Sequence, residues 1–432
     1  MTDSRIPRYQ ELNPDISSDY LSLAEQAHAF AEDVMRPTAA VLDGMSPEEV
    51  ISEQSPLWAA FHKWFQAGHH AMLIPEEFGG ANLDATAQAL VTEEFGWGAP
   101  DLAVSLGVAS IPFVFAAHMA RLTGNKRLID EIVAPFVADT EGHHIGCWAI
   151  TEPGHGSDEL AAGIDSFQKR DTAGSCRAYQ DGDEWVITGQ KSAWVSNGTI
   201  ATHALLFCTV DPSKGMAGGA VAVVPLDRPG VTKGPPLDKL GQRSLNQGEI
   251  FFDGARIPSE YILVGPDFYK ELLDLTLVTA NSGMSLIFTG LARAAFEEAL
   301  EYSKIRVQGG KVISEHQLVQ GMIFDMFSRV EQSRAFARAA LYYNNANPSV
   351  PFAITAKVTA TQAAFDVASR AIQVFGGMGL SKGTLVEKLL RDARSSTIED
   401  GVNEFLGLVA ARRIIDGYGI PNAMSLPISL AG

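Results

Sequence analysis

A chain of 432 residues is long enough for two or three domains with sizeable cores, and 46% hydrophobic with 19% charged residues is the balance of a globular enzyme. The formal net charge of −18 removes any general attraction to nucleic acid or to an anionic membrane. A polyanionic ligand must then be met by local basic residues or helix N-termini.

The opening residues, Met1 to Pro7, lack the apolar core of a targeting sequence, and no stretch approaches about 18 uninterrupted apolar residues. The expectation is a cytoplasmic chain with no membrane span. Cys147, Cys176 and Cys208 fit neither a disulfide framework nor a zinc site, so they read as buried or incidental thiols, and no metal is expected. No Gly-x-Gly-x-x-Gly follows a strand, so no nicotinamide cofactor is expected either.

Apolar residues recur every three or four positions over 20–34, 56–67 and 85–95, which predicts helices, with a turn-rich connector at 73–80. The character changes near Gly146. Residues 184–188, 203–210, 219–225 and 249–253 are short β-type runs separated by Gly and Pro, the last ending at a Gly254 turn, and suggest a small barrel or sandwich. After Pro258 the helical period returns over 291–303, 315–344, 351–375, 385–396 and 402–416, which suggests a bundle. The predicted organisation is α+β: an N-terminal helical domain over 1–145, a middle β domain over 146–258 and a C-terminal helical bundle over 259–432.

Five segments carry chemistry. In the first, Trp148 to Asp158 (WAITEPGHGSD), a Gly-rich turn ending in Ser157 exposes N–H groups and a hydroxyl to an electron-rich ligand, or is only a turn. In the second, Gly189 to Gly198, Trp194 either stacks on a flat ring or caps the sheet. In the third, Arg306 beside the paired Gly309 and Gly310 holds a phosphate, or marks a solvated helix–helix turn. In the fourth, Gln373 to Gly379, three glycines admit a close ligand or cap a helix. The fifth, Arg391 to Asn403 (RDARSSTIEDGVN), places Glu399 and Asp400 before Gly401, either as chemistry or as an exposed helix N-terminus.

In this order, and over about residues 73–413, the five segments resemble the acyl-CoA dehydrogenase family. Leu240 to Arg243 (LGQR) and Phe252 to Pro258 (FDGARIP) resemble the family's end of its β domain. The resemblance implies a helical domain, a middle β-barrel and a C-terminal four-helix bundle. It also implies FAD as cofactor, an acyl-CoA substrate, an electron-transfer flavoprotein or similar acceptor, and a homotetramer built as a dimer of dimers. By the same resemblance Trp148, Ile150, Thr151, Gly156, Ser157, Trp194 and Ser196 line the flavin, as do Val402 and Asn403. Arg306, Gln308, Gln373, Gly376 and Gly377 match positions that reach the FAD of a neighbouring subunit. Ser157, Asn281, Asp400 and Gly401 match substrate-binding positions. Asp400 matches the base that removes the proton α to the thioester carbonyl, while a hydride leaves the β carbon for the flavin. The N–H of Asp400 would help to bond the thioester oxygen.

Three departures qualify the resemblance. The usual base is Glu, and Asp400 is one methylene shorter, roughly 1.5 Å of reach. In the family an Asp here accompanies alicyclic acyl-CoAs, which points to a branched or cyclic acyl group. Asn281, aligned through Gly290 to Ala292, stands where some members carry an alternative base or a coenzyme-binding Arg. Residues 159–183 form a longer stretch than the family pattern. A nitroalkane oxidase-like enzyme also uses an Asp base and is the nearest rival. Its Arg two helical turns beyond the base is replaced here by Gly407.

Overall fold

The computed structural model describes residues 12, 13 and 15–417; the amino-terminal stretch examined for a targeting sequence and residues 418–432 lie outside them. Helices come first: α1 (Ser18–Phe30), α2 (Arg36–Asp43), α3 (Pro47–Val50), α4 (Pro56–Gln66), α5 (Ala85–Gly98), α6 (Pro100–Val108), α7 (Ile111–Thr123), α8 (Lys126–Leu128) and α9 (Ala134–Ala138). Side-chain caps fix several starts. Ser46 and Glu49 form a capping box on α3, and Ser55, Asp84 and Asn125 accept from the first turns of α4, α5 and α8. The core of this region is aromatic, with Phe61, Trp64, Phe65, Phe113 and Phe136 all buried.

The strands follow: β1 (Gly146–Ala149), β2 (Arg177–Asp181), β3 (Glu184–Lys191), β4 (His203–Thr209), β5 (Gly219–Pro225), β6 (Val231–Lys233), β7 (Ile250–Pro258) and β8 (Ile262–Val264). They form one eight-stranded sheet in the order β6-β7-β3-β2-β4-β5-β8, with β1 parallel to β4. The expected barrel is therefore corrected to an open sheet. Its ends, β6 and β8, are three residues each and do not pair with one another among the described residues, so the ladder never closes. The predicted strand end at Gly254 is also corrected. Gly254, at φ 71°, is the extra residue of a bulge between the Ile187–Ala255 and Thr188–Asp253 pairs, and β7 runs on to Pro258. The three cysteines are buried and unpaired.

The bundle comprises α10 (Tyr269–Ile305), α11 (Gln317–Ala346), α12 (Val350–Phe375), α13 (Leu385–Ser396) and α14 (Asn403–Ile415). A two-stranded hairpin, β9 (Val307–Gln308) and β10 (Lys311–Val312), joins α10 to α11. Periodicity detected only the second half of α10, because Leu272 to Val278 are buried all round and show no polar face. By length and hydropathy α10 could cross a membrane, but 78% of its apolar window is buried inside the fold, against α5, α11 and α12.

Two features seat the first helices on the bundle. The axes of α5 and α10 approach through glycines: a Cβ on Gly96 would lie 2.1 Å from the Ile287 carbonyl oxygen, and one on Gly290 2.2 Å from that of Glu93. Beside this crossing the buried Glu93 carboxylate accepts from Arg293 and Arg334 at 3.0 Å and from Arg338 at 3.2 Å, and Glu94 accepts from Arg293 and pairs with His28. Burial alone would raise the Glu93 carboxyl, but the three guanidiniums overcome it and hold the group at about 2. Glu93→Gln should therefore destabilise the protein by about 3–5 kcal/mol, since it removes the buried negative charge that the three guanidiniums share. Because the folded pKa is depressed, this stabilisation is present above the ordinary carboxylate pKa and is lost as pH falls toward about 2. Denaturant unfolding of both proteins between pH 3 and 7 measures it: the difference should shrink toward pH 3.

Candidate active site

The segment between α13 and α14 is a tight turn. Asp400 and Gly401 both lie in the left-handed region, at φ 51° and 96°. Asp tolerates that conformation better than most residues. Gly401 requires its missing side chain as well, because a Cβ would sit 2.7 Å from Leu406. The turn is fastened from three directions. Ser157 Oγ accepts from the Val402 N–H at 3.0 Å. Lys357, buried in α12, donates from Nζ to the Gly401 carbonyl and to Asn403 Oδ1, both at 2.9 Å. Gln242 donates from Nε2 to Glu399 Oε1, while its own N–H bonds to Asp392 Oδ1. Gln242 is itself at φ 51°, so two strained residues meet here.

The neighbouring carboxylates are in opposite situations. Glu399 is held by Gln242, whereas neither the carboxyl nor the N–H of Asp400 has a hydrogen-bond partner among the described residues. Burial raises the Asp400 carboxyl to about 6, with Lys357 pulling the other way. Burial and the Asp400 charge raise Glu399 to about 7, against the pull of Gln242, Lys357 and Lys239. Burial lowers Lys357 to about 8, opposed by Asp400, Glu399 and Glu404.

Ser157 leads back to the Gly-rich segment. Trp148, at the end of β1, forms a bridge with Ser196, whose Oγ accepts from Gln247 at 3.2 Å. Thr151 shares a 2.7 Å hydroxyl contact with Ser192, and Trp194 beside it is 59% exposed. Cβ atoms on Gly154 or Gly156 would meet nothing, so the space there is open. An exposed indole, a pair of hydroxyls and an open glycine turn fit a flat ring with a polar edge. Underneath, buried Lys191 donates to the Ile150 carbonyl at 2.7 Å and to Glu152 at 2.9 Å, and Glu152 also accepts from the Ser175 and Cys176 N–H groups. Burial pushes the adjacent Glu159 up to about 8.

The structure thus brings Ile150, Thr151, Gly156, Ser157, Trp194, Ser196, Asp400, Gly401 and Val402 onto three connected segments. Asn403 spends its side chain internally, on Lys357 and Thr361. Asn281 is buried in α10, one turn beyond Leu277 and Val278, with both amide atoms unpartnered. Arg306, Gln308, Gln373, Gly376 and Gly377 are not brought here. They are exposed at the far end of the bundle, where Tyr302 and Phe375 stack at 4.0 Å, and the helix from Lys357 to Phe375 is about 27 Å long. Sequence reasoning missed Lys357, Gln242 and the Lys191–Glu152 pair. Their signals were a lone Lys on an apolar helix face, a Gln inside the LGQR stretch and a Lys ending a strand.

Comparison with known proteins covers nearly the whole described chain. The acyl-CoA dehydrogenase N-terminal, middle and C-terminal domain families match residues 17–138, 147–255 and 281–415. The short-chain specific acyl-CoA dehydrogenase of Bos taurus mitochondria is 32% identical over 405 residues, covering 94% of this chain and 92% of its own. The structure of butyryl-CoA dehydrogenase from Megasphaera elsdenii superposes with a TM-score of 0.80 at 26% identity, covering 94% of this chain and 100% of that one. A chain from work on the electron transferring flavoprotein of Acidaminococcus fermentans gives the same score, identity and coverages.

The raised carboxyl is testable without any substrate. Carbodiimides activate protonated carboxyls, so Asp400 should be labelled increasingly as pH falls through about 6, where surface carboxylates remain ionised. Peptide mass spectrometry across pH 5–8 reads this out. Labelling that begins only near pH 4 would contradict the buried setting of Asp400.

Proposed function

The chain belongs to the acyl-CoA dehydrogenase family of FAD-dependent enzymes, and on that premise we propose that it dehydrogenates an acyl-CoA thioester between the α and β carbons with Asp400 as base. The observation that carries this reading is the state of Asp400. Its carboxyl and N–H have no hydrogen-bond partner among the described residues, in a turn whose other polar groups are largely committed, and the adjacent Glu399 is bound to Gln242.

Ile150, Thr151, Trp194 and Ser196 are the residues that would hold the flavin ring, with Lys191 fixing the Ile150 carbonyl behind it. Bound FAD supplies the acceptor for the hydride leaving the β carbon. The Asp400 N–H polarises the thioester oxygen and so stabilises the charge that develops there. The Asp400 carboxylate takes the α proton, and its raised pKa makes it a stronger base than a solvated Asp. Ser157 and Gly401 hold the turn, and Asn281 offers an unpartnered amide to the substrate. The shorter Asp needs the α carbon closer, which we read as accommodation of a branched or cyclic acyl group.

The same reading makes the protein a cytoplasmic dimer of dimers that passes electrons to an electron-transfer flavoprotein. Arg306, Gln308, Gln373, Gly376 and Gly377 would reach the FAD of a second subunit. Their exposure supports this, as do the exposed Ile305, Val307, Met378 and Leu380 around them. Nitroalkane oxidation, the rival use of an Asp base, is not favoured: the relatives are named acyl-CoA dehydrogenases.

Two experiments test the proposal. Asp400→Asn should keep flavin and thioester binding, because the N–H survives, while flavin reduction falls by about 10²–10⁴. Glu399→Gln should cost far less, and Asp400→Glu should be tolerated only if the pocket has room. Anaerobic stopped-flow with a panel of acyl-CoA thioesters measures all three and ranks acyl groups; equal losses at Glu399 and Asp400 would refute the assignment. Arg306→Ala should lower FAD content per subunit, and unchanged FAD content and oligomer size would overturn the cross-subunit reading.

A further inference from the structure

Lys357 occupies a face of α12 made mostly of Ala353, Ile354, Ala356, Ala360 and Ala364, with Thr361 one turn on, all buried, and it is itself fully buried. An ammonium is held in such a place only where hydrogen bonds and opposite charge offset its desolvation. Its two bonds are those to the Gly401 carbonyl and Asn403 Oδ1, and of the three N–H groups of an ammonium this leaves one uncommitted. The charges that face it are Glu399 and Asp400 from the turn and Glu404 from α14. The carbonyl that Lys357 grips belongs to the Gly401–Val402 peptide, one residue beyond Asp400, so the contact fixes the turn from which the Asp400 N–H and carboxyl project.

We propose that Lys357 is a positioning residue for the base: its two hydrogen bonds hold the turn that presents Asp400, and its charge faces the Asp400 carboxylate. This rests on the reading of Asp400 as base. The lysine loses its proton at about 8 and Asp400 at about 6, which leaves a window around neutrality in which the lysine is cationic and the base anionic. Glu399, raised to about 7, shares that window, and its deprotonation adds negative charge beside both groups.

The test is the pH dependence of anaerobic flavin reduction by an acyl-CoA thioester in Lys357→Met, Lys357→Gln and Lys357→Arg, each checked for FAD content and thioester affinity. Removing the charge should move the acid limb upward by about one pH unit in the Met and Gln variants. That shift lowers the ionised fraction of the base about twofold at pH 7 and about tenfold at pH 5, with thioester affinity changed little, so that kcat and not KM carries the loss. Lys357→Arg should keep the limb where it is, because the charge stays, while lowering the rate through the altered grip on Gly401. A merely structural lysine would instead lower FAD content and rate equally at every pH with the limb unmoved, and that result overturns the proposal. So does loss of FAD from both neutral variants, which would make the lysine a prop of the fold. Asp400→Asn is run alongside. If it reduces flavin normally, the assignment of the base itself falls; if it is inactive while the limb stays put in the lysine variants, only the role of Lys357 falls.

Discussion

A base that must be free to accept a proton has to stand on a backbone that is not free, and in this protein the backbone is held largely by one buried lysine. Lys357 reaches out of the apolar face of α12 to the carbonyl of Gly401 and the amide of Asn403. Ser157 takes the next N–H, that of Val402. Between them the chain passes through two successive residues at positive φ, which Asp and Gly tolerate better than other residues. The reversal and the anchors belong together: the bonds from Lys357 and Ser157 fix the peptide that follows it, between Gly401 and Val402.

The rest of the fold brings those anchors to the turn. Leu275 and Val278 of α10 pack with Ala353 and Ile354 of α12, and Tyr302 stacks on Phe375, so the two helices run side by side in the same direction with Lys357 toward one end. The glycine crossing of α5 on α10 and the Glu93–arginine cluster lock the first helices to α10 and α11. The open sheet contributes Ser157 through a segment that Lys191 and Glu152 tie down from below, and Gln242 through its junction with Asp392, itself paired with Lys388. The turn is thus fixed from the bundle and from both ends of the β region.

Much of this was legible in the sequence, and the failures have physical causes. The helices with one polar face, such as Leu385–Ser396, were found at their true ends, because amphipathic spacing is a local signal. The first half of α10 was not, because burial on every side erases the pattern. Gly254 was read as a stop since Gly marks turns and bulges alike, and only the partner strand tells them apart. Whether a sheet closes depends on pairing between its first and last strands, which no local window contains. At the site, Asp400 stood out by motif, but Lys357 lies 43 positions before it and was one lysine in a long helix. Its role follows from what it faces, which spacing alone does not state.

Glu399 and Asp400 show why adjacency in sequence decides so little. Both are carboxylic acids, both are lifted by burial, and the Asp400 charge raises Glu399 further. Yet one bond separates their capacities. Gln242 gives Glu399 a donor, so that carboxyl is oriented and partly satisfied. Asp400 has no such donor and only a distant-acting cation to favour its charge, so its lone pairs remain available. Positive φ at residue 400 adds the geometric half: it turns the Asp400 side chain and N–H away from the helical path that Glu399 still follows from α13, whose last turn carries on through the Ser395 carbonyl to the Glu399 N–H. A glycine must come next because the reversal drives its missing side chain into Leu406. The Glu-Asp-Gly order is therefore one device read three ways: a tethered acid that ends the helix, a free acid beyond the reversal, and the residue that permits it.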